Sequence, residues 1–455
     1  MLGIWKIPHD FFRSIKVTNT KKGQEMYAKA LRLIPGGTQL LSKRPEMFLP
    51  GSWPNYYTHA KGAEIIDLDG NTYLDMSYCG VGATVLGYAD DDVDMAVKTA
   101  IDSGSMSTLN CPEEVELAEL LVQLHPWAGS ARFARAGGEA LAVAVRIARA
   151  HTGRQVIAFC GYHGWHDWYL SANLAEDDAL DGHLLPGLSP SGVPRNLAGL
   201  TQPFHYNDFA AIKSIADRYG TNLAAIVMEP VRGTMPVDGF LENVRKLADD
   251  TGAALIFDEV TVGWRINTGG IHLTLGVNPD IAVFAKAMGN GYPISAVLGR
   301  ADVMSAAENT FISSTAWTER VGPAAALATI GKFTDKNVSS HLMRLGELVK
   351  LAWEQASKSS GLGVKVAGLA PLAHFKFCCE DAQAVRTLFT QMMLDRGYLA
   401  RESFYAMYAH TEAQIDAYTD ACCEVFKELA NAVDSGTVKN KLRGPVAHTG
   451  FQRLT

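Results

Sequence analysis

The stretch that decides the fold runs from Leu255 to Gly299 and reads LIFDEVTVGWRINTGGIHLTLGVNPDIAVFAKAMGNGYPISAVLG. One apolar run, Ala253 to Phe257, ends in Asp258, and a second, Ile281 to Ala285, ends in Lys286 and a glycine-containing turn. Short apolar runs bounded by turn residues are typical of buried strands in a parallel sheet. Because ligands of such sheets bind beyond the carboxyl ends of the strands, we expect Asp258 and Lys286 to reach one cleft.

A carboxylate and an amine in one cleft suit the chemistry of pyridoxal phosphate. This cofactor forms a Schiff base with a lysine and needs an acidic group that keeps its ring nitrogen protonated. An anion near that nitrogen favours the charged ring. The alternative is an ordinary ion pair between Asp258 and Lys286 at two strand ends, and these two residues alone leave the choice open.

Length, composition and charge predict a globular protein of two or more domains. The chain has 455 residues, of which 47% are hydrophobic and 20% charged, a length that exceeds one ordinary core. A net charge of −7 supplies no basic field for nucleic acid or for an anionic membrane. No apolar run approaches the length of a spanning helix, so we expect neither kind of partner.

The cysteine pattern and the amino terminus predict a cytoplasmic protein. The seven cysteines are scattered, odd in number and without a CxxC pair, which indicates reduced thiols. The first residues lack the continuous apolar core and the cleavage site of a signal peptide. We interpret residues 1–20 as an extension and residues 435–455 as a tail with little periodicity.

The remaining pattern predicts an α/β protein with a second, smaller α+β domain. Residues 63–76 have the alternation and the Asp-Gly turn of a hairpin. From about residue 336, helices alternate with short strands. We assign residues 1–66 to an N-terminal part of the small domain, 67–335 to the large domain and 336–455 to the C-terminal part of the small domain.

A glycine pair at the start of a helix is a candidate phosphate site. In residues 131–150, ARFARAGGEALAVAVRIARA, a short strand meets Gly137 and Gly138, and a helix begins at once. Backbone N–H groups at the N-terminus of a helix bind phosphate when glycines open the approach. A plain tight turn between strand and helix is the alternative, and this segment alone does not decide.

An aromatic loop, GYHGWHDWYL at residues 161–170, follows the next predicted strand. Its Tyr162 could stack on a planar ring. His163 and His166 have HxxH spacing, but no cysteine or carboxylate cluster completes a metal site, and we expect no metal.

Eight motifs together resemble one enzyme family. They are IPGG at 34–37, DLDGNTYLDM at 67–76, GGEA at 137–140, YHG at 162–164, EPV at 229–231, DEVTVGWR at 258–265, GVNPDIAVFAKAMGNGYP at 276–293 and AHTEAQID at 409–416. The chain resembles the class III pyridoxal-phosphate aminotransferases of fold type I from about Leu33 to Ala432. It is most similar to the glutamate-1-semialdehyde aminomutases, which the DEVxxGxR and AHTE segments favour over the ω-amino-acid transaminase branch.

The resemblance implies a mixed, mostly parallel sheet in the large domain and a set of residues around the cofactor ring. It implies that Lys286 is the Schiff-base lysine and that Asp258 pairs with the pyridinium nitrogen. Val260 is expected to pack on one face of the ring, and Tyr162 to stack on or edge the other.

The resemblance also implies a phosphate site shared by two subunits. Gly137 and Gly138 are expected to donate backbone N–H groups to the phosphate, and Glu229 to lie near the ring substituents. In the family a threonine of the partner subunit completes the site, which makes a homodimer functional. Thr318 keeps the family's spacing to the following proline, Pro323. Thr315 keeps the family's spacing to the preceding aromatic residue, Phe311, so both threonines remain candidates.

Three departures from the family pattern concern phosphate and substrate. The Asn-Ser-Gly-Thr phosphate loop is Arg-Ala-Gly-Gly at 135–138, where Arg135 either compensates for lost hydroxyls or makes a structural ion pair. The arginine that holds the substrate carboxylate in the aminomutase is replaced by Lys43, with Arg44 next, and lysine lacks the bidentate fork. The segment before His410 is about three residues shorter than the corresponding segment of the aminomutase pattern.

Four interpretations remain open, and the three that involve a reaction use the same cofactor. The leading interpretation is transfer of an amino group between a donor amine and an aldehyde or ketone acceptor. An aminomutase, which returns the amine to a neighbouring carbon of one bound molecule, is the alternative. Epimerisation or racemisation on the same scaffold, and a binding protein without catalysis, are further alternatives.

Overall fold

The computed structural model describes residues 19–183 and 186–450. The predicted extension, as far as residue 18, and the last five residues of the predicted tail lie outside this part of the chain. Within it, no helix is both long enough and apolar enough to cross a membrane.

The described chain contains both helices and strands, and the predicted apolar runs that end at Phe257 and Ala285 overlap two of the strands. The helices are α1 (Lys21–Leu33), α2 (Asp91–Asp102), α3 (Pro112–Leu124), α4 (Gly137–Thr152), α5 (Asp167–Leu170), α6 (Phe209–Tyr219), α7 (Phe240–Thr251), α8 (Ala301–Met304), α9 (Val321–Asp335), α10 (Val338–Ser360), α11 (Ala382–Leu394), α12 (Glu412–Asp434) and α13 (Val438–Lys441). The strands are β1 (Tyr57–Lys61), β2 (Glu64–Asp67), β3 (Thr72–Met76), β4 (Ser130–Ala134), β5 (Val156–Cys160), β6 (Thr201–Pro203), β7 (Leu223–Met228), β8 (Ala254–Asp258), β9 (Ile281–Phe284), β10 (Ser295–Gly299), β11 (Val364–Ala367), β12 (Leu372–Phe377), β13 (Tyr398–Ala400) and β14 (Ser403–Tyr405).

The described chain divides into two compact units. The first contains residues 19–81, 85–90 and 340–450, and the second contains residues 82–84 and 91–339. Residues 67–81 fall in the first unit rather than in the predicted large domain, because β3 pairs with β2 and with β13. The later boundary lies a few residues beyond the predicted one.

The second unit is built on a seven-stranded sheet in the order β4-β10-β9-β8-β7-β5-β6. Strand β10 is antiparallel to both of its neighbours, and the pairs from β9 to β6 are parallel. The predicted mixed, mostly parallel sheet is therefore confirmed. Because β4 and β9 both run against β10, the carboxyl end of β4 lies at the same edge as those of β5, β7, β8 and β9.

Apolar side chains cover both faces of this sheet, which is why its strands read as continuous apolar runs. Alternate residues of each strand point to opposite faces. Ile157 and Phe159 of β5 pack in a cluster with helix α4, whereas Val156 and Ala158 pack in a second cluster with α6 and α7. The two helical layers fix the strands and hence the loops at their carboxyl ends.

The first unit contains two smaller sheets. Strands β1, β2, β3 and β13 form one sheet, in which β13 is parallel to β3, and the predicted hairpin of β2 and β3 is confirmed. Strands β11, β12 and β14 form the other, fully antiparallel sheet. Helix α11 ends at Leu394, and the Gly397 N–H turns back to the Leu394 carbonyl.

Candidate active site

The carboxyl edge of the seven-stranded sheet brings the predicted residues of the second unit together. Asp258 ends β8, and Lys286 lies two residues beyond β9, its neighbour in the sheet. Glu229 follows β7 directly, and Tyr162 lies two residues beyond β5. Gly137 begins helix α4 just beyond β4. These five residues, which are far apart in the sequence, therefore all follow strands at one edge.

Lys286 has a backbone and an environment that ordinary surface lysines lack. Its φ of 47° lies in the left-handed region, which is uncommon for residues other than glycine and is often found at functional sites. The Nζ amine is half-buried and donates a hydrogen bond to Thr261 Oγ1 at 2.7 Å. Burial lowers the pKa of Lys286, while the charge of Asp258 opposes that shift. The amine is thus biased towards its neutral, nucleophilic form.

The Asp258 carboxylate is buried and held by two partners. Its Oδ1 accepts the Val260 N–H at 2.9 Å, and its Oδ2 lies 2.8 Å from His163 Nδ1. The His163 Nε2 lies 3.1 Å from the Cys160 carbonyl oxygen. Because that carbonyl can only accept, Nε2 carries the proton of this contact.

The glycine pair at the start of α4 is close-packed. A Cβ atom on Gly137 would come within 2.9 Å of Val260 Cγ1, and one on Gly138 within 3.2 Å of the Gly164 Cα. The first N–H groups of a helix have no carbonyl partner within it. Glycine at both positions lets Val260 and Gly164 pack against the start of α4, where the unpaired backbone N–H groups are the donors that an anion site requires.

Glu229 is paired with an arginine that the sequence analysis did not single out. Its Oε2 accepts a hydrogen bond from Arg232 Nη1 at 2.8 Å, and Arg232 Nη2 also donates to the His183 carbonyl. Burial raises the pKa of Glu229, and the Asp258 charge adds to that increase while Arg232 opposes it. Gly161 makes room for the pair, since a Cβ there would lie 2.7 Å from Glu229 Oε2.

Tyr162 lies at the exposed side of the edge. Its ring is 39% exposed and meets the Tyr169 ring edge-on, with 5.9 Å between centroids. Burial of the hydroxyl raises the pKa of Tyr162, and the Asp258 carboxylate adds to this increase. The partly exposed Tyr162 ring, whose hydroxyl interacts electrostatically with Asp258, is accessible to a planar ligand.

Arg135 makes an ion pair, which decides one of the open alternatives. Its Nε lies 3.0 Å from Glu319 Oε1, and its Nη2 donates to the carbonyl oxygens of Trp317 and Glu319. The Trp317 indole N–H also donates to Glu139, whose other carboxylate oxygen accepts the Arg135 N–H. Arg135 thus secures the segment that carries the two threonine candidates to the start of α4.

Thr315 and Thr318 both lie on the surface of this segment. The Thr318 hydroxyl donates to the Thr315 carbonyl oxygen at 3.0 Å. Within the part of the chain that the structure describes, the Thr315 hydroxyl makes no hydrogen bond. The two candidates therefore differ in how readily each could donate to a ligand.

The substrate candidates Lys43 and Arg44 belong to the first unit. Lys43 is exposed at the end of a short 3-10 helix. The Arg44 guanidinium lies against Gly36, where a Cβ would come within 2.6 Å of Nη2, and its charge opposes the increase in the pKa of Tyr27. Arg44 thus packs among residues of its own unit.

Sequence reasoning missed His163, Thr261 and Arg232 as site residues. His163 was considered only as a metal ligand, and across the described residues no group of three or more His, Cys, Asp or Glu side chains is arranged to hold a metal ion. The available signal was position, because each of the three follows a buried strand at the carboxyl edge within three residues of a predicted site residue.

Comparison with known proteins agrees with this arrangement. The family described as "Aminotransferase class-III" matches residues 51–420. The chain belongs to the class-III aminotransferase family. It is 31% identical over 425 residues to the 3-aminobutyryl-CoA aminotransferase of Cloacimonas acidaminovorans (strain Evry), with 90% of this chain and 98% of that protein covered.

Two further relatives support the assignment. A glutamate-1-semialdehyde 2,1-aminomutase of Desulforamulus reducens is 32% identical over 434 residues, which cover 90% of this chain and 98% of that protein. The solved structure of the FumI protein of Sphingopyxis sp. MTA144, a form with PLP, superposes with a TM-score of 0.82 at 26% identity and covers 91% of this chain and 97% of that one. The predicted family, the fold type and the pyridoxal-phosphate chemistry are confirmed, and the protein is an enzyme.

The residues present fit the cofactor of this class-III aminotransferase. The edge offers a half-buried amine with a lowered pKa, a buried carboxylate and a helix N-terminus opened by glycines. When bound, pyridoxal phosphate supplies a conjugated ring that accepts electrons from the carbon bearing the substrate amine. The amine is the type of group that reacts with the carbonyl of the cofactor, and the carboxylate is the type that pairs with its ring nitrogen. The glycine N–H groups are donors of the kind that bind its phosphate.

Proposed function

We propose that this class-III enzyme transfers an amino group between two separate small molecules, an amine donor and an aldehyde or ketone acceptor, with the cofactor held covalently by Lys286. The observation that carries this proposal is the Lys286 amine, half-buried, bonded to Thr261 and within the field of the Asp258 carboxylate. We further propose a cytoplasmic location, on the scattered cysteine pattern alone.

The proposed roles follow from the contacts. The Lys286 amine removes the proton from the carbon that bears the donor amine and delivers a proton to the acceptor carbon in the second half of the reaction, and Thr261 orients Nζ for both steps. Asp258 keeps the ring nitrogen protonated, while His163 holds the Asp258 carboxylate in place. Val260 and Tyr162 flank the ring.

Two further groups complete the proposed cofactor site. Gly137 and Gly138 donate to the phosphate at the start of α4. Glu229, held by Arg232, lies near the ring substituents. The raised pKa of Glu229 makes its carboxyl group a candidate donor as well as an acceptor at that place.

Transfer between two molecules is favoured over the aminomutase reaction by the substrate residues. Lysine at position 43 presents a point charge rather than a fork for a carboxylate. Arg44, the neighbouring arginine, packs against Gly36 and near Tyr27. The aminomutase remains the second candidate, because four relatives of similar identity carry that name.

Glutamate-1-semialdehyde should be a poor substrate of the purified enzyme. We expect slow or undetectable formation of 5-aminolevulinate, because lysine at position 43 cannot form the bidentate contact that would hold the substrate carboxylate during the reaction. A panel of amine donors should instead convert the bound cofactor to its amine form, seen by absorbance, before any acceptor is added. Efficient formation of 5-aminolevulinate, lost in Arg44→Ala, would establish the aminomutase reaction instead.

We also propose that the enzyme acts as a homodimer in which the segment of Thr315 and Thr318 reaches the partner subunit. Phe311 and Leu109 are 86% and 80% exposed, and large apolar side chains that are exposed together in one patch mark a protein–protein interaction site. Their segments are adjacent, since the Arg320 N–H donates to the Ser105 carbonyl. A second copy of the chain would bury both residues.

Light scattering should find a dimer at assay concentration, and Thr315→Ala should weaken cofactor binding more than Thr318→Ala. The reason is that the Thr318 hydroxyl already donates within its own segment, whereas that of Thr315 is available. A loss of about tenfold corresponds to one hydrogen bond to a charged group. An active monomer, or a larger effect at Thr318, would contradict this assignment.

A further inference from the structure

His166, which has no role in the proposed reaction, lies against the start of helix α4. The His166 Nδ1 is 3.5 Å from the position that a Cβ on Gly138 would occupy and 3.7 Å from the corresponding position on Gly164. The His166 ring stacks on Trp165 with 4.4 Å between centroids. Its backbone carbonyl accepts the N–H groups of the first turn of α5. The imidazole is thus fixed beside the glycine pair.

The His166 Nδ1 is a buried nitrogen without a hydrogen-bond partner among the described residues. Leaving such an atom unpaired costs free energy, and unpaired buried polar groups are rare without a functional reason. Burial lowers the pKa of His166, and the charges of Glu139 and Asp167 oppose this decrease. An anion beside Nδ1 would supply the missing acceptor and favour the protonated ring.

The loop that enters α4 cannot supply a comparable donor from its own side chains. Residues 136–138 are Ala-Gly-Gly, which have no polar side chain. The Arg135 guanidinium is directed to Glu319 and to two carbonyl oxygens. An anion at the glycine pair therefore meets backbone N–H groups, and the adjacent side-chain nitrogen of His166 remains to complete its shell.

We propose that His166 is a phosphate-binding residue of the cofactor site, donating from Nδ1 to the phosphate group that the Gly137 and Gly138 N–H groups hold. This inference rests on the proposed cofactor site and adds a residue to it. His166 acts on the phosphate alone and has no part in proton transfer at the amine-bearing carbon.

The test compares the affinities of two ligands in binding experiments without substrate. His166→Phe keeps a flat ring on Trp165 but removes the nitrogen. Equilibrium dialysis should show about ten- to a hundredfold weaker binding of pyridoxal phosphate, the range for a hydrogen bond to a charged group. Binding of unphosphorylated pyridoxal, which lacks the proposed partner, should change less than about twofold on the same reasoning.

Two further variants control the experiment. His166→Asn places an amide nitrogen near the position of Nδ1 and should recover most of the lost affinity for pyridoxal phosphate. His151→Phe makes the same substitution at the exposed far end of α4 and should leave both affinities unchanged. If His166→Phe does not fold, His166→Ala and His166→Asn give the same comparison.

The outcomes separate this inference from the proposed function. Equal losses for both ligands would show that His166 only supports the fold, and an unchanged affinity for pyridoxal phosphate would exclude the contact; either result overturns the inference and leaves the proposed function intact. Failure of the unaltered protein to bind either ligand would overturn both. A loss confined to pyridoxal phosphate, with recovery in His166→Asn, would support it.

Discussion

Replacing Lys286 with alanine should abolish amino transfer while leaving a folded protein that still binds pyridoxal phosphate. The side chain is half-buried and donates a hydrogen bond to the uncharged Thr261 hydroxyl, and the Asp258 carboxylate keeps its contacts with His163 and Val260 when Lys286 is removed. The glycine pair, Asp258 and Tyr162 remain to bind the cofactor. Turnover should fall by at least about three powers of ten, or ~4 kcal/mol, since both covalent attachment and proton transfer are lost.

Borohydride reduction measures the attachment directly. Treatment of the unaltered enzyme should fix the cofactor to the peptide that contains Lys286, as mass spectrometry would show. Lys213→Ala, which removes an exposed lysine paired with Asp217 on α6, is the matched control and should keep full labelling and activity. Labelling at a different lysine would contradict the assignment of Lys286.

The sheet, and the position of Asp258 and Lys286 at one of its edges, were predictable from local sequence patterns. The apolar runs that end at Asp258 and before Lys286 became β8 and β9, which are neighbours in the sheet. Runs of that length between turn residues have few other ways to bury both faces. The rule that ligands bind beyond the carboxyl ends of parallel strands then brings both residues to one edge.

The pairings between side chains at that edge were not predictable, because they depend on loop conformations. His163 bonds to Asp258 although the two are 95 residues apart, and the HxxH spacing suggested only a metal ligand. Arg135 pairs with Glu319 in the structure. The sequence alone did not distinguish this ion pair from a contact with phosphate, because Glu319 is far away in the chain. Spacing shows which strand a residue follows but not where its side chain points.

The domain division shows the same limit at larger scale. The DLDGNTYLDM motif was assigned to the large domain from its neighbours in the chain. In the structure it contains the last residue of β2 and the whole of β3, and these strands join a sheet with β13, contributed by residues more than three hundred positions later. Pairing between strands so distant in sequence leaves no local signal, whereas the hairpin within the motif does.

The contact between His163 and Asp258 determines how the site would respond to loss of the carboxylate. Two donors approach Asp258, namely the Val260 N–H and the His163 ring. An asparagine could satisfy both if its oxygen accepts from Val260 and its NH₂ donates to a neutral Nδ1. His163 would then keep its proton on Nε2, towards the Cys160 carbonyl. The substitution removes the negative charge and retains the hydrogen bonds.

Asp258→Asn should therefore slow proton removal from the donor amine by several powers of ten, each tenfold step being about 1.4 kcal/mol, with little loss of cofactor affinity. Without the anion the ring nitrogen loses its proton more easily, and the electron sink weakens. The half-reaction with a donor amine, followed by absorbance, measures the rate. Asp280→Asn alters a buried carboxylate that pairs with Arg245 and Arg300, and should lower thermal stability but not this rate. Near-normal turnover in Asp258→Asn would show that this carboxylate does not act on the ring nitrogen.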